Sequence, residues 1–277
     1  MANILPMEKR VAVVGALAEG NSIRAIERMT GIHRDTIMRL GVRIGEGCHR
    51  LLDGMMRDLP CERIEVDEIW GFIGKKQRHV TTEAESWEKG DAWTFIAVDA
   101  DSKLVPCFHV GKRSTDDTVA FVTDLSSRLK NRVQLSSDAM PAYVWGVEQG
   151  FGCEVDYGQV IKTFSATPGH HHTERKYSPG QVTQTVKKVI MGTPSKRLIS
   201  TSYVESQNLT VRMHVRRLTR LTNAFSKKLD NFKAAIALHF AYYNLVKRHT
   251  TLRMTPAMAA GVTDTFWTVA DLIERAK

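Results

Sequence analysis

Residues 64–76, with the sequence IEVDEIWGFIGKK, form the stretch that decides the fold class. Branched and aromatic residues dominate it, and these residue types favour a β-strand. Asp67 lies inside the stretch, where a charged side chain is disfavoured unless it faces water or a ligand. The stretch therefore predicts a strand in which Asp67 either binds a ligand or simply faces outward from a half-exposed surface.

Further strands and helices are predicted after this stretch. Residues 93–99 and 104–110 predict two strands joined by a turn over 101–103, and hence a hairpin. Residues 163–200 contain several prolines and glycines and predict a loop or insertion. The other predicted elements are a helix over 114–129 capped by Thr115, a strand over 132–137, a helix over 141–150, a strand over 155–161, and helices over 201–218 and 230–246. This order predicts an α/β protein with a mixed sheet.

The first 60 residues have a helical pattern instead. Helices are predicted over 7–18, over about 22–29 and from 33 toward 40, where glycines at 41, 45 and 47 loosen the continuation. The apolar spacing and the tight turn over 30–32 are typical of a helix-turn-helix, although an ordinary helical hairpin has the same pattern. In the helix-turn-helix interpretation, the side chains that project toward the DNA major groove are those of Arg34, Asp35, Thr36 and Arg39.

The composition limits the possible partners. A net charge of +9 and a pI of about 9.4 suit a polyanionic partner, either nucleic acid or an acidic membrane surface. No run approaches the roughly 20 apolar residues that a membrane span needs. The four cysteines lie far apart without C-x-x-C spacing, so neither a zinc ribbon nor a redox motif is supported, and free thiols suit a reducing cytosol.

Three carboxylates occupy positions where an α/β enzyme would place catalytic groups. Asp67 lies in the first strand, Asp138 ends the fourth, and Glu205 lies near the start of the helix predicted from 201. Strand ends collect ligands in such sheets, and carboxylate oxygens are the ligands that Mg²⁺ prefers. Each residue also has an ordinary structural explanation, because Asp138 could start a turn and Glu205 suits a helix N-terminus.

Several blocks of the sequence carry a family resemblance. They are residues 66–76 (VDEIWGFIGKK), 137–143 (SDAMPAY), 203–220 (YVESQNLTVRMHVRRLTR), 224–231 (AFSKKLDN) and 242–244 (YYN). In this order, over roughly residues 60–250, the chain resembles the insertion-sequence-one family of DDE transposases. The resemblance implies an RNase H-like domain with a five-stranded mixed sheet and flanking helices.

The resemblance also implies roles for particular residues. The family's acidic triad falls on Asp67, Asp138 and Glu205, which would hold two Mg²⁺ or Mn²⁺ ions. Its basic residue seven positions after the glutamate falls on Arg212, close to the helical face of Glu205. The chain departs from many members because it lacks a Cys-rich zinc finger, and because its stretch from Asp138 to Glu205 is long.

Positive charge continues after the predicted triad. A charge run is usually a solvated face, but beside an active site we expect it to contact phosphates. The adjacent histidines at 170–172 predict a loop that touches DNA more readily than a metal site. The basic side chains are those of Arg212, Arg216, Arg217, Arg220, Lys227, Lys228 and Lys233.

The complete prediction is a helix-turn-helix domain over 1–60, a catalytic domain over 61–250 with the insertion at 163–200, and a C-terminal helical tail over 251–277. We expect a bacterial, cytoplasmic, nucleoid-associated DNA transposase that binds element ends as a dimer or larger homo-oligomer and transfers strands into double-stranded target DNA. Two alternatives remain: an RNase H-like nuclease without joining activity, and a non-catalytic helix-turn-helix regulator derived from a transposase.

Overall fold

A six-stranded mixed sheet runs through the part of the chain that the computed structural model describes, which is residues 5–165, 180–219 and 222–277. The strands are β1 (Arg63–Ile73), β2 (Gly90–Asp99), β3 (Phe108–Gly111), β4 (Val133–Asp138), β5 (Val155–Phe164) and β6 (Val182–Met191). Their order across the sheet is β3-β2-β1-β4-β5-β6. Strand β1 pairs antiparallel with β2 and parallel with β4, and β5 pairs parallel with β4 and antiparallel with β6. This arrangement confirms the α/β class and is compatible with an RNase H-like fold.

Strand β6 differs from the expectation of five strands, because it lies where a loop was predicted. Its sequence, VTQTVKKVIM, is rich in branched residues, but residues 182–189 are all exposed. Polar and branched residues mix on both faces of this edge strand, so a sequence pattern has no apolar alternation to detect.

Strand β3 is shorter than predicted, and a side chain binds the segment just before it. The backbone N–H of Val105 donates to Oδ1 of Asn244 at 3.0 Å, and Nδ2 of Asn244 donates to the carbonyl oxygen of Val105 at 2.9 Å. Residues 104–107 are therefore buried and hydrogen-bonded without joining β3.

Three helices precede the sheet, namely α1 (Met7–Ala18), α2 (Ile23–Thr30) and α3 (Arg34–Met55). The Ser22 hydroxyl accepts the backbone N–H of Ala25 at 3.1 Å and caps α2. Gly31 ends α2 with a φ of 68°, a conformation that glycine adopts at little cost. The next helix, α3, runs 22 residues and does not loosen near residue 40.

The glycines of α3 serve helix packing rather than helix termination. A Cβ atom at Gly45 would lie 2.1 Å from the carbonyl oxygen of Ala234, and one at Gly47 would lie 2.2 Å from that of Ala276. Backbone atoms thus approach α3 at distances that only glycine permits. Buried residues of α1–α3 and of the sheet belong to one apolar cluster, so the core is continuous across residue 60.

The remaining helices cover both faces of the sheet. Ser114, rather than the expected Thr115, caps the helix that follows β3 by accepting the backbone N–H of Asp117 at 3.1 Å. The helix predicted over 201–218 ends at His214 and is followed by a single turn at Arg216–Leu218. The helices are α4 (Glu83–Glu88), α5 (Thr115–Ser127), α6 (Pro141–Phe151), α7 (Ser202–His214), α8 (Leu229–Ala241), α9 (Pro256–Ala259) and α10 (Val269–Arg275).

Candidate active site

The two strand aspartates lie side by side in the middle of the sheet, where β4 ends next to β1. Parallel pairing of β1 with β4 places Glu65 opposite Ser136, so two residues further along each strand Asp67 lies beside Asp138. Carboxylate oxygens of Asp67, Glu68 and Asp138 all lie within 4.8 Å of one another. The structure therefore gathers two of the three predicted acidic residues and adds Glu68.

Short hydrogen bonds fix the two aspartates. Asp67 accepts the backbone N–H of Glu68 at 2.8 Å through Oδ1, and the side-chain amide of Asn208 in α7 at 2.7 Å through Oδ2. Asp138 accepts the backbone N–H of Met140 at 2.9 Å. Burial, followed by the negative charges of Glu68, Asp138 and Glu205, raises the pKa of Asp67 to about 7. A cation bound here would offset this concentration of negative charge.

Glu68 is the site residue that sequence reasoning missed. Its Oε1 atom accepts a 2.8 Å hydrogen bond from Nε of Arg113, and Oε2 accepts the Tyr143 hydroxyl at 3.1 Å. Burial raises the pKa of Glu68, with the Asp138 charge as the next cause. The alternation of β1 points Glu65 and Asp67 to one face and Glu68 to the other, so a strand covered on both faces had to bury Glu68 beside a partner. A charged residue on a covered face of β1 was therefore the feature of the sequence that could have identified Glu68.

Glu65 sets the position of α7 and hence of Glu205. Its Oε2 atom accepts the backbone N–H groups of Tyr203 at 2.7 Å and Val204 at 3.0 Å, at the open N-terminus of the helix. Glu65 shares the face of Asp67, so this anchor brings the first turn of α7 over the aspartates.

Glu205 lies beside the acidic cluster but is held by other partners. Its Oε1 atom accepts the Thr201 hydroxyl at 2.5 Å and pairs with the ammonium of Lys162 in β5. The charge of Glu205 still contributes to the raised pKa of Asp67, which places it within electrostatic range. Within the described residues, the group of carboxylates that could share one ion is Asp67, Glu68 and Asp138.

The donor set suits a hard divalent cation. All three clustered ligands are carboxylates, and oxygen ligands are those that Mg²⁺, Mn²⁺ and Ca²⁺ prefer. Oδ1 of Asn208 is buried without a hydrogen-bond partner among the described residues, although the amide of the same side chain binds Asp67. Asp67, Glu68 and Asp138 could therefore hold a metal ion.

Arg212 lies two helical turns beyond Glu205, near the end of α7. Its guanidinium donates to the carbonyl oxygen of Leu218 at 3.4 Å, and its own carbonyl accepts the Thr219 hydroxyl at 3.2 Å. These contacts join α7 to the basic segment that follows it, which is residues 216–228.

Most of the predicted DNA-binding residues line one cavity. Its volume is about 980 Å³, and it lies between the helices α1–α3 on one side and residues 214–228 with α8 on the other. Arg217 donates to the Ser226 hydroxyl at 2.7 Å, and burial lowers its pKa. Arg39 is exposed and Thr36 half-buried, and neither lines the cavity, while Arg220 and the histidines at 170–172 lie outside the described residues. The predicted residues that line it are Arg34, Arg216, Arg217, Lys227 and Lys228.

No protein-family model matches the chain, and no curated protein matches it. None of the helices among the described residues is both long enough and apolar enough to cross a membrane.

Proposed function

We propose that this protein is a metal-dependent DNA transposase of the DDE type. The observation that carries the proposal is the convergence of Asp67, Glu68 and Asp138 within 4.8 Å, with Glu205 on the neighbouring helix. Two carboxylates from the central strands and one from the neighbouring helix agree with the triad that the family resemblance implies.

Asp67, Asp138 and Glu205 would hold two Mg²⁺ or Mn²⁺ ions. Bound in pairs, such ions lower the barrier to phosphodiester attack by acidifying the attacking oxygen and by stabilising the leaving oxygen. Asn208 would orient Asp67 through the 2.7 Å bond to Oδ2. Glu68, held by Arg113 and Tyr143, has its carboxylate within 4.8 Å of those of both aspartates and could add a further oxygen ligand.

The proposed reaction has two chemical steps on DNA. In the first, water attacks a phosphodiester at the element end, the bond to the 3′ oxygen breaks, and a 3′-hydroxyl is freed. In the second, that hydroxyl attacks a phosphodiester of the target DNA, and a new bond to phosphorus replaces the one that breaks. Arg212 would steady the charge that develops on the attacked phosphate.

The basic cavity supports DNA as the substrate. Arg34 comes from α3, whereas Arg216, Arg217, Lys227 and Lys228 come from the segment after α7, and both groups face the same space. Cations brought together from distant parts of a chain with net charge +9 suit a phosphate backbone. Arg39 would contact DNA from the exposed side of α3 in a helix-turn-helix, and the protein would act as a dimer or larger assembly on the bacterial chromosome in the cytoplasm.

Isosteric substitution of the carboxylates tests the proposal. We expect Asp67→Asn, Asp138→Asn and Glu205→Gln each to lower metal-dependent strand cleavage by at least roughly 10²-fold, because each removes a charged ligand and keeps the shape. DNA affinity, measured by fluorescence anisotropy, should stay unchanged. Asp116→Asn, at an exposed position in the first turn of α5, is the matched control and should cleave normally. Cleavage at the wild-type rate by any of the three variants would remove that residue from the site.

A further inference from the structure

Lys162 lies where β5 extends beyond the end of β4. Pairing of the two strands sets Val160 opposite Asp138, the last residue of β4. Two residues further along β5, Lys162 returns to the sheet face on which Val160 and Asp138 lie. This is the face that α7 covers, so the lysine shares a sheet face with Asp138 and pairs with Glu205.

The lysine ammonium and a metal ion would compete for one carboxylate. Oε1 of Glu205 is the atom that Lys162 and Thr201 bind, and it is also an oxygen that would ligate a cation. The side chains of Lys162 and Glu205 are 30% and 45% exposed, so solvent screens their attraction and the pair can separate at small cost.

We propose that Lys162 is a positioning residue that exchanges partners when metal binds. Without a divalent cation, Lys162 neutralises Glu205 and keeps its carboxylate apart from Asp67 and Asp138. When Glu205 turns to the ions, the released ammonium stays on the face of Asp138 and meets the negative charge of the substrate phosphate. The inference rests on the proposed function, since it assigns Glu205 to the metal site and a phosphate to the substrate.

Substitution of the lysine should therefore change metal affinity and catalysis in opposite directions. Lys162→Met removes the competitor, and we expect Mn²⁺ to bind the full-length protein roughly two- to fivefold more tightly, the range that an exposed ion pair supports. Strand cleavage at saturating Mn²⁺ should nevertheless slow by on the order of tenfold, because the phosphate loses a cation. A lysine that only braces β5 against α7 would leave the Mn²⁺ affinity unchanged or weakened.

The experiment is an Mn²⁺ titration by calorimetry on four proteins: the wild type, Lys162→Met, Glu205→Gln and the double variant. We expect Glu205→Gln to bind Mn²⁺ more weakly and the double variant to match it, because the competition requires the carboxylate. The control is Lys187→Met on β6, where the ammonium donates to the carbonyl oxygen of Arg197 and where the same loss of charge should leave the affinity unchanged. Lys162→Arg should keep both the affinity and the cleavage rate near the wild-type values.

The outcomes separate the two proposals. Tighter Mn²⁺ binding by Lys162→Met that disappears in the Glu205→Gln background supports the exchange. Unchanged or weaker binding by Lys162→Met overturns it, and so does equal tightening by Lys187→Met or in the Glu205→Gln background, which would indicate a general charge effect. If Glu205→Gln binds Mn²⁺ as the wild type does, the ligand assignment of the proposed function fails as well.

Discussion

At Asp67, burial and the proposed metal binding impose opposite demands on one carboxyl group. The surrounding strands and α7 remove water from it, and the neighbouring negative charges raise its pKa to about 7. An aspartate with a purely structural role would be expected to pair with a cationic side chain. Asp101 pairs in this way with Arg63, and Asp156 with Arg132. Uncompensated acidic groups at such a place are characteristic of functional sites, where a ligand supplies the missing charge.

A second buried ionisable side chain lies in α8. His239 is enclosed, neither of its ring nitrogens has a hydrogen-bond partner among the described residues, and it stacks between His214 and Tyr243. Burial, with the charges of His214 and Lys247, lowers its pKa from 6.5 to about 3. The folded protein therefore keeps this imidazole neutral, whereas the unfolded chain takes up a proton below pH 6.5.

We predict that His239→Leu makes the protein less sensitive to acid. Because the folded-state pKa is depressed, His239 lowers the free energy of unfolding as pH falls from 6.5 toward 3, by up to about 1.4 kcal/mol per pH unit. The substitution should remove that part of the slope in urea unfolding experiments at a series of pH values. His79→Gln, at an exposed position, should leave the slope as it is. A His239→Leu variant that kept the wild-type acid slope would contradict the buried neutral state.

At the scale of the elements, close helix packing depends on glycine within α3. Gly45 and Gly47 allow backbone carbonyls of Ala234 and Ala276 to approach the helix, while Gly54, on the same helix, has open space around it. The substitutions at these positions are the same Gly→Ala change, so a loss of stability at Gly45 beside a gain at Gly54 reports the tertiary packing around Gly45.

Alanine substitution at two of these glycines should change stability with opposite sign. Gly45→Ala forces a methyl group against the Ala234 carbonyl, and we expect it to lower the free energy of unfolding by roughly 1–3 kcal/mol. Gly54→Ala meets no atoms and should raise it by about 0.5–1 kcal/mol through helix propensity. Denaturant unfolding of both variants is the measurement. Equal effects would show that α3 does not pack against α8 as described.

The helices and strands differ in how clearly the sequence predicts them. Strands β1 and β2 carry runs of branched and aromatic residues, and they and β4 were predicted within a few residues of their bounds. Strand β6 was missed because polar and branched residues mix on both of its faces. The length of α3 was missed because its glycines resemble helix stops until their packing partners are known. A sequence pattern reports the local preference of a segment for helix or strand. Strand β6 and the packing of the α3 glycines depend instead on backbone that is distant in the sequence.

On the scale of the whole molecule, the described residues form one continuous core. Val13 and Ile37 from the N-terminal helices belong to the same buried cluster as Ile64 and Phe95 of the sheet. The groups proposed to contact DNA and those proposed to cut it are thus held by one packed body, in which α7 carries Glu205 and leads into the basic segment lining the cavity.

The site could be predicted from the sequence only in part. Asp67 and Asp138 lie in strands, and strand pairing brought them together as expected. Glu68, Asn208 and Lys162 could not be placed, because their roles depend on which face of β1 and β5 each helix covers. The conformation of Glu205 likewise depends on Lys162, 43 residues before it in the chain.

The most direct test of the central claim is strand joining. The purified protein is incubated with Mn²⁺, a linear DNA that ends in the inverted repeat that the proposal places beside its gene, and a supercoiled target plasmid, and the products are sequenced. We predict covalent junctions between the 3′ end of the repeat and the plasmid, which Asp67→Asn abolishes while DNA binding persists. Cleavage without any junction would make the protein a nuclease, and DNA binding with neither cleavage nor junctions would contradict the assignment of Asp67, Asp138 and Glu205 as a working catalytic centre.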